Sequence, residues 1–118
     1  MGVAYDANYL IWCDMARTDF IRQYVRSYAE IERDGVALAV SEANVRYHAA
    51  VRYEDRVRIE TTLVEVRSRA LVFEYLLTRQ PSGERVASAR TTLVSLSRDG
   101  KPAAMPADLR DRLKAAAA

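Results

Sequence analysis

The chain has 118 residues, half of them hydrophobic and 29% charged, which is the make-up of one globular domain and excludes both a disordered chain and a second domain. A single cysteine, Cys13, and a single histidine, His48, exclude an intrachain disulfide and a Cys/His zinc centre. The net charge of +2 is too small to argue for a nucleic-acid partner, and the longest apolar runs, Tyr9–Cys13 and Val36–Val40, are too short for membrane insertion or a signal-peptide core, so the expectation is a soluble cytoplasmic protein.

Asn8–Val25 contains no proline or glycine and reads as the main helix, with Asp6 or Asn8 as N-cap. At 100° per residue, Tyr9, Cys13, Ala16, Phe20 and Tyr24 form one stripe. The first half is apolar all the way round, which predicts that this end is enclosed by protein and that its free amides face a site. Ser27-Tyr28-Ala29-Glu30 has the form of a capping box opening a short helix, which Gly35 ends.

After Gly35 the period changes from that of a helix to that of a strand. Four strands are predicted: Val36–Tyr47, Val57–Val66, Ala70–Thr78 and Arg85–Ser97. The linking segments Tyr53-Glu54-Asp55, Arg67-Ser68-Arg69 and Gln80-Pro81-Ser82-Gly83 are short, which favours antiparallel neighbours. Asp99-Gly100, Pro102 and Pro106 end the sheet, and Leu109 and Leu113 mark a closing helix. The fold class is therefore α+β, one long helix against an antiparallel meander. Hotdog, cystatin-like and other helix-on-sheet folds all satisfy it. Strongly apolar strands in so small a chain predict that it is not a monomer.

The run Met1-Gly2-Val3-Ala4-Tyr5-Asp6-Ala7-Asn8-Tyr9, followed by Trp12, Asp14-Met15-Ala16-Arg17 and Phe20, resembles the hotdog-fold acyl-CoA thioesterases of the 4-hydroxybenzoyl-CoA thioesterase type. The resemblance continues through Val45-Arg46-Tyr47, Tyr53-Glu54-Asp55 and Arg69 to Phe73. It implies a long central helix wrapped by a curved antiparallel sheet, in a homodimer or homotetramer whose sheets run on between subunits. It also implies hydrolysis of an acyl-CoA at the subunit boundary, with the thioester carbonyl against the helix N-terminus. The backbone N–H of Asp6 would be the oxyanion donor, and Tyr5, Asn8, Trp12 and Asp14 would line the substrate. No metal or redox cofactor is implied; CoA enters as part of the substrate.

Those enzymes carry a catalytic aspartate three residues before the motif's glycine, and counting back from Gly2 passes the first residue. The expectation is either that the 118-residue form is slower than one extended by about fifteen residues, or that Asp6 has become the base.

Each of these residues also has a plainer reading. Asp6 caps the helix or acts as general base. Asp14 is solvated, or bridges the dimer, or lines the acyl pocket. Arg67, Ser68 and Arg69 form a solvated turn or hold the CoA phosphates, for which the arginine fork is suited. Cys13 reads as a small buried hydrophobe, His48 as a strand-edge residue, Asp55 as turn geometry, and Tyr9 and Trp12 as core or pocket wall. The competing functional reading is a non-catalytic hotdog protein that binds acyl-CoA or a protein partner.

Overall fold

The computed structural model of the protein describes residues 6–52 and 54–118, and of residues 6–8 the backbone only. The elements run α1 (Asp6–Tyr24), α2 (Tyr28–Arg33), β1 (Ala37–Tyr47), β2 (Arg56–Val66), β3 (Ala70–Gln80), β4 (Glu84–Leu96) and α3 (Ala107–Ala116). All eight strand boundaries expected fall within two residues of these, and the period change at Gly35 is real: its φ of +91° lets the chain leave α2 and enter β1. Ser27 accepts a bond from the Glu30 amide at 3.2 Å, while the Glu30 carboxylate accepts from the Ser27 hydroxyl instead of its amide.

The four strands form one antiparallel sheet in the order β1-β4-β3-β2. This corrects the meander reading. β2, β3 and β4 do follow one another through tight connections, but β1 crosses to the far side and pairs with β4. The connection that leaves Tyr47 is held by the amides of His48 and Ala49 on the Val86 carbonyl at 2.9 and 3.2 Å. Shifts of register at Val40/Glu42 in β1 and Leu63/Glu65 in β2 bend both edge strands. Bulges of this kind raise local twist and curl a sheet around what it covers.

What it covers is α1. Leu63, Leu71, Phe73, Tyr75, Leu77, Ala89 and Leu93 point from the sheet into the core. Tyr9, Cys13 and Ile21 meet them from the helix. Leu109 and Leu113 of α3 close one end, and Arg26 ties the α1–α2 corner to Asp34 and Asp108, both at 2.7 Å. Fully burying each such apolar side chain contributes about 1.5–3 kcal/mol.

Two expectations about α1 are corrected. The buried line is Tyr9, Cys13, Arg17 and Ile21, one residue every four, and Tyr24 is exposed. The apolar first half is not enclosed by this chain: Leu10, Ile11 and Met15 are 42%, 54% and 65% exposed. The sheet covers one side of a helix that is apolar on both.

Candidate active site

The first turn of α1 presents backbone N–H groups that have no acceptor within the helix, at the positive end of a 19-residue dipole. Its surroundings are aromatic. The Tyr9 ring lies edge-on to Trp12 at 5.4 Å and to Tyr47, at the end of β1, at 5.0 Å. Tyr9 is buried and Trp12 half-buried, so the two serve both readings, Tyr9 as core and Trp12 as a wall between core and surface. Tyr5 and Tyr53 lie outside the described residues, as do the side chains of Asp6 and Asn8.

One turn further in, Cys13 is buried, and burial pushes its thiol up to about 11 against the opposing pull of Arg17. Such a thiol stays protonated near neutral pH and is no nucleophile. Below it sits Arg17, only 5% exposed, a buried cation that sequence reading passed over. Its guanidinium donates to the hydroxyls of Tyr28 and Tyr75, each at 3.3 Å, and pairs with the Asp14 carboxylate. The Tyr75 hydroxyl also shares a 2.8 Å bond with Thr91. Burial alone would lower the arginine's pKa, but the bonds to Tyr75 and Tyr28 outweigh it and the charge is held more firmly than usual. Burial likewise raises both tyrosines, with Arg17 opposing, so they remain neutral. Asp14, exposed at the surface, thus has a partner in its own chain.

The Arg67-Ser68-Arg69 turn joins β2 to β3. Its backbone is fixed on both sides: the Ser68 carbonyl accepts from Met105 and the Arg69 carbonyl from Ser95, both at 2.8 Å. Arg67 grips Glu65 with both arms of its fork, at 2.7 and 3.0 Å, and that bond holds the Glu65 carboxyl below its usual range. Arg69 is exposed and forms no ion pair among the described residues.

The structure does not bring this turn to the helix N-terminus of the same chain. Tyr9 touches Tyr47, whose row in the sheet continues through Ala87 to Leu77. The turn lies beyond Ala70, roughly 23 Å away along β3 at the rise of a strand. Asp55 serves the turn geometry expected of it, accepting from the Arg52 amide at 2.8 Å and pairing with Arg79 at 3.2 Å. His48 is exposed, its Nε2 3.1 Å from the Ser88 hydroxyl. Among the described residues no cluster of metal ligands occurs, and no helix is long and apolar enough to cross a membrane.

The family model of the thioesterase-like superfamily matches residues 1–113. The chain belongs to this superfamily. Among curated relatives, the acyl-CoA thioester hydrolase YbgC of Escherichia coli O6:H1 is 30% identical over 94 residues, 80% of this chain and 63% of that protein. The chain therefore spans just under two thirds of that relative. Of solved structures, the hypothetical protein TT1821 of Thermus thermophilus superposes with a TM-score of 0.90 at 29% identity, over 98% of this chain and 88% of that one. The DHNA-CoA thioesterase of Staphylococcus aureus gives 0.81 at 30% identity, over 88% and 70%. The fold of this thioesterase-like chain is thus the hotdog arrangement, and the cystatin-like alternative falls away.

Proposed function

We propose that the chain hydrolyses an acyl-CoA thioester to the free acid and CoA, in the cytoplasm, as a homo-oligomer. The observation that carries this reading is the helix end itself: a first turn whose amides have no acceptor within the helix, beside Tyr9, Trp12 and Tyr47, in a chain of the thioesterase-like superfamily. Water attacks the thioester carbon, and the Asp6 carboxylate takes its proton. The negative charge that develops on the carbonyl oxygen is met by the Asp6 N–H and the helix dipole, which favour the charged intermediate over the neutral substrate. Collapse of that intermediate breaks the carbon–sulfur bond and releases CoA as thiolate. Tyr5, Asn8 and Trp12 hold the acyl part.

The oligomer follows from what α1 leaves uncovered. Leu10, Ile11 and Met15 on the helix, with Val40 and Tyr47 on the edge strand β1, are large exposed hydrophobics. Antiparallel pairing of two β1 strands covers them and continues the sheet into the second copy. A two-fold axis there also lays the Ala37 end of one β1 beside the Tyr47 end of the other. It thereby carries the second copy's arginine turn to the first copy's helix N-terminus, where Arg67, Ser68 and Arg69 hold the CoA phosphates.

The experiment is turnover of an acyl-CoA panel, read by a chromogenic thiol reagent; the buried, protonated Cys13 contributes little background. The expected result is hydrolysis that falls about a hundred- to ten-thousand-fold in Asp6→Asn, with KM little changed. Unchanged turnover in Asp6→Asn removes the base. CoA binding without turnover of any substrate hands the site to the non-catalytic reading.

A further inference from the structure

One arginine on the helix-facing side of the sheet gathers three separate pieces of chain. Arg79 stands in the row Val57, Arg79, Glu84, two residues along β3 from buried Leu77. Alternation puts its side chain on the face that Leu77 shares, toward α1. Its guanidinium donates to the carbonyl of Ala50, which follows β1, and pairs with Asp55, just before β2, at 3.2 Å and with Glu84, where β4 begins. A planar fork of five donors can hold all three acceptors at once, which a lysine ammonium on a single flexible stem does poorly.

The chain held in this way carries Val51, which is 2% exposed and belongs to the same core cluster as Tyr9 and Leu77. Ala50 and Val51 lie outside every helix and strand. They are held in place by the His48 and Ala49 amides on Val86, by the Arg52 amide on Asp55 at 2.8 Å, and by Arg79. This attachment sits at the N-terminal end of α1. Tyr9 meets Tyr47, in the row of Ala87 and Leu77, while Arg17 bonds to Tyr75 in the next core-facing row. The helix therefore climbs β3 toward its own N-terminus. Its first residue lies about 4.5 Å of helical rise above Tyr9, and Arg79 about 6.7 Å of strand above Leu77, so the two reach a similar height.

We infer that Arg79 is a positioning residue for the acyl group: by fastening Ala50 and Asp55 to the sheet it holds Val51 as the end wall of the space beside the α1 N-terminus, and so sets the acyl length admitted. The inference rests on the acyl-CoA reading of the site. Arg79 itself touches no substrate; the apolar surface offered to the acyl chain is that of Val51. Each methylene an acyl chain buries tightens binding about fourfold, and the gain stops where the chain meets a fixed wall.

The test is the affinity of wild type, Arg79→Met, Arg79→Lys and Val51→Ala for a series of S-alkyl-CoA thioethers, which bind without turnover, measured by calorimetry. Wild type is expected to gain affinity with alkyl length up to a limit. In Arg79→Met the limit should move out by about two methylenes, so that the first ligand beyond the wild-type limit binds about tenfold tighter while the shortest binds as before. Val51→Ala should extend the limit in the same way with the arginine intact, and keeps the test open if Arg79→Met fails to fold; Arg79→Lys should fall between. Exchange of the His48 and Ala49 amides, read by NMR, should quicken about tenfold in Arg79→Met. A limit that stays at the wild-type length in both Arg79→Met and Val51→Ala, or an equal loss of affinity for every length, would leave Arg79 a purely structural role and overturn the inference alone. Unchanged amide exchange in Arg79→Met would overturn it too. Wild type that binds none of the thioethers would remove the acyl-CoA reading and the inference together.

Discussion

At the scale of single residues, the most consequential side chain is Arg17. A guanidinium 5% exposed beneath a helix is tolerated because Asp14, Tyr28 and Tyr75 satisfy it and Thr91 completes the chain. Removing such a group leaves buried hydroxyls and a carboxylate without their partner, whereas removing one hydroxyl leaves most of the network standing. Arg17→Ala is expected to cost about 3 kcal/mol of unfolding free energy and Tyr75→Phe about 1 kcal/mol, both read by urea denaturation. Equal, small losses would mean that the guanidinium reaches water and the network is ornamental. The position is hard to read from a sequence. Arginine is normally a surface residue, so a stripe drawn through apolar residues passes over it. The clue was the spacing: Asp14 stands three residues before Arg17, and Arg17 four after Cys13 in the same line as Tyr9 and Ile21.

At the scale of elements, the sequence is legible wherever local rules decide. The change of period, the capping serine, the turn residues and the glycine stop all act within a few residues, and the helices and strands stand where those rules place them. Which strand lies beside which is not local. Alternation in Ala43, Val45 and Tyr47 gives β1 an apolar face, of which this chain half-buries only Val45, and says nothing of its pairing with β4. Glycines show the local rule at its strongest. Gly35 and Gly83 both hold positive φ, at +91° and +77°. A Cβ on Gly83 meets open space, while one on Gly35 comes to 3.0 Å from the Arg98 Nε. Arg98 is not free to retreat without cost, because its guanidinium donates to the Arg33 carbonyl at 3.0 Å. Gly83→Ala should therefore cost about 1 kcal/mol and Gly35→Ala roughly 2 kcal/mol, measured by thermal unfolding. The same loss at both sites would show that backbone conformation alone sets the penalty.

At the scale of the molecule, the proposed homo-oligomer divides the candidate site between two copies. The helix N-terminus and the arginine turn sit at opposite ends of the sheet, and in the proposed dimer the two-fold through β1 brings one copy's turn to the other's helix. That geometry makes a prediction which a site built within one chain does not share. In that dimer Asp6→Asn would remove the proposed base from its own copy's site, and Arg67→Ala/Arg69→Ala the proposed phosphate grip from the neighbour's. Each variant alone has every site damaged. In a dimer made of one copy of each, one site loses both features, while the other combines an intact Asp6 with an intact turn. Random mixing makes half the dimers hybrid, so about a quarter of the wild-type sites should return, and with them about a quarter of the turnover at acyl-CoA well below KM, where loss of the phosphate grip is felt. The measurement is hydrolysis after unfolding the two variants together and refolding them, against each refolded alone. Were the turn to serve its own chain's helix, every site in the hybrid would carry one damaged feature, and mixing would give the plain average of the two variants. Recovery above that average assigns the turn to the partner's site; the average itself assigns it elsewhere.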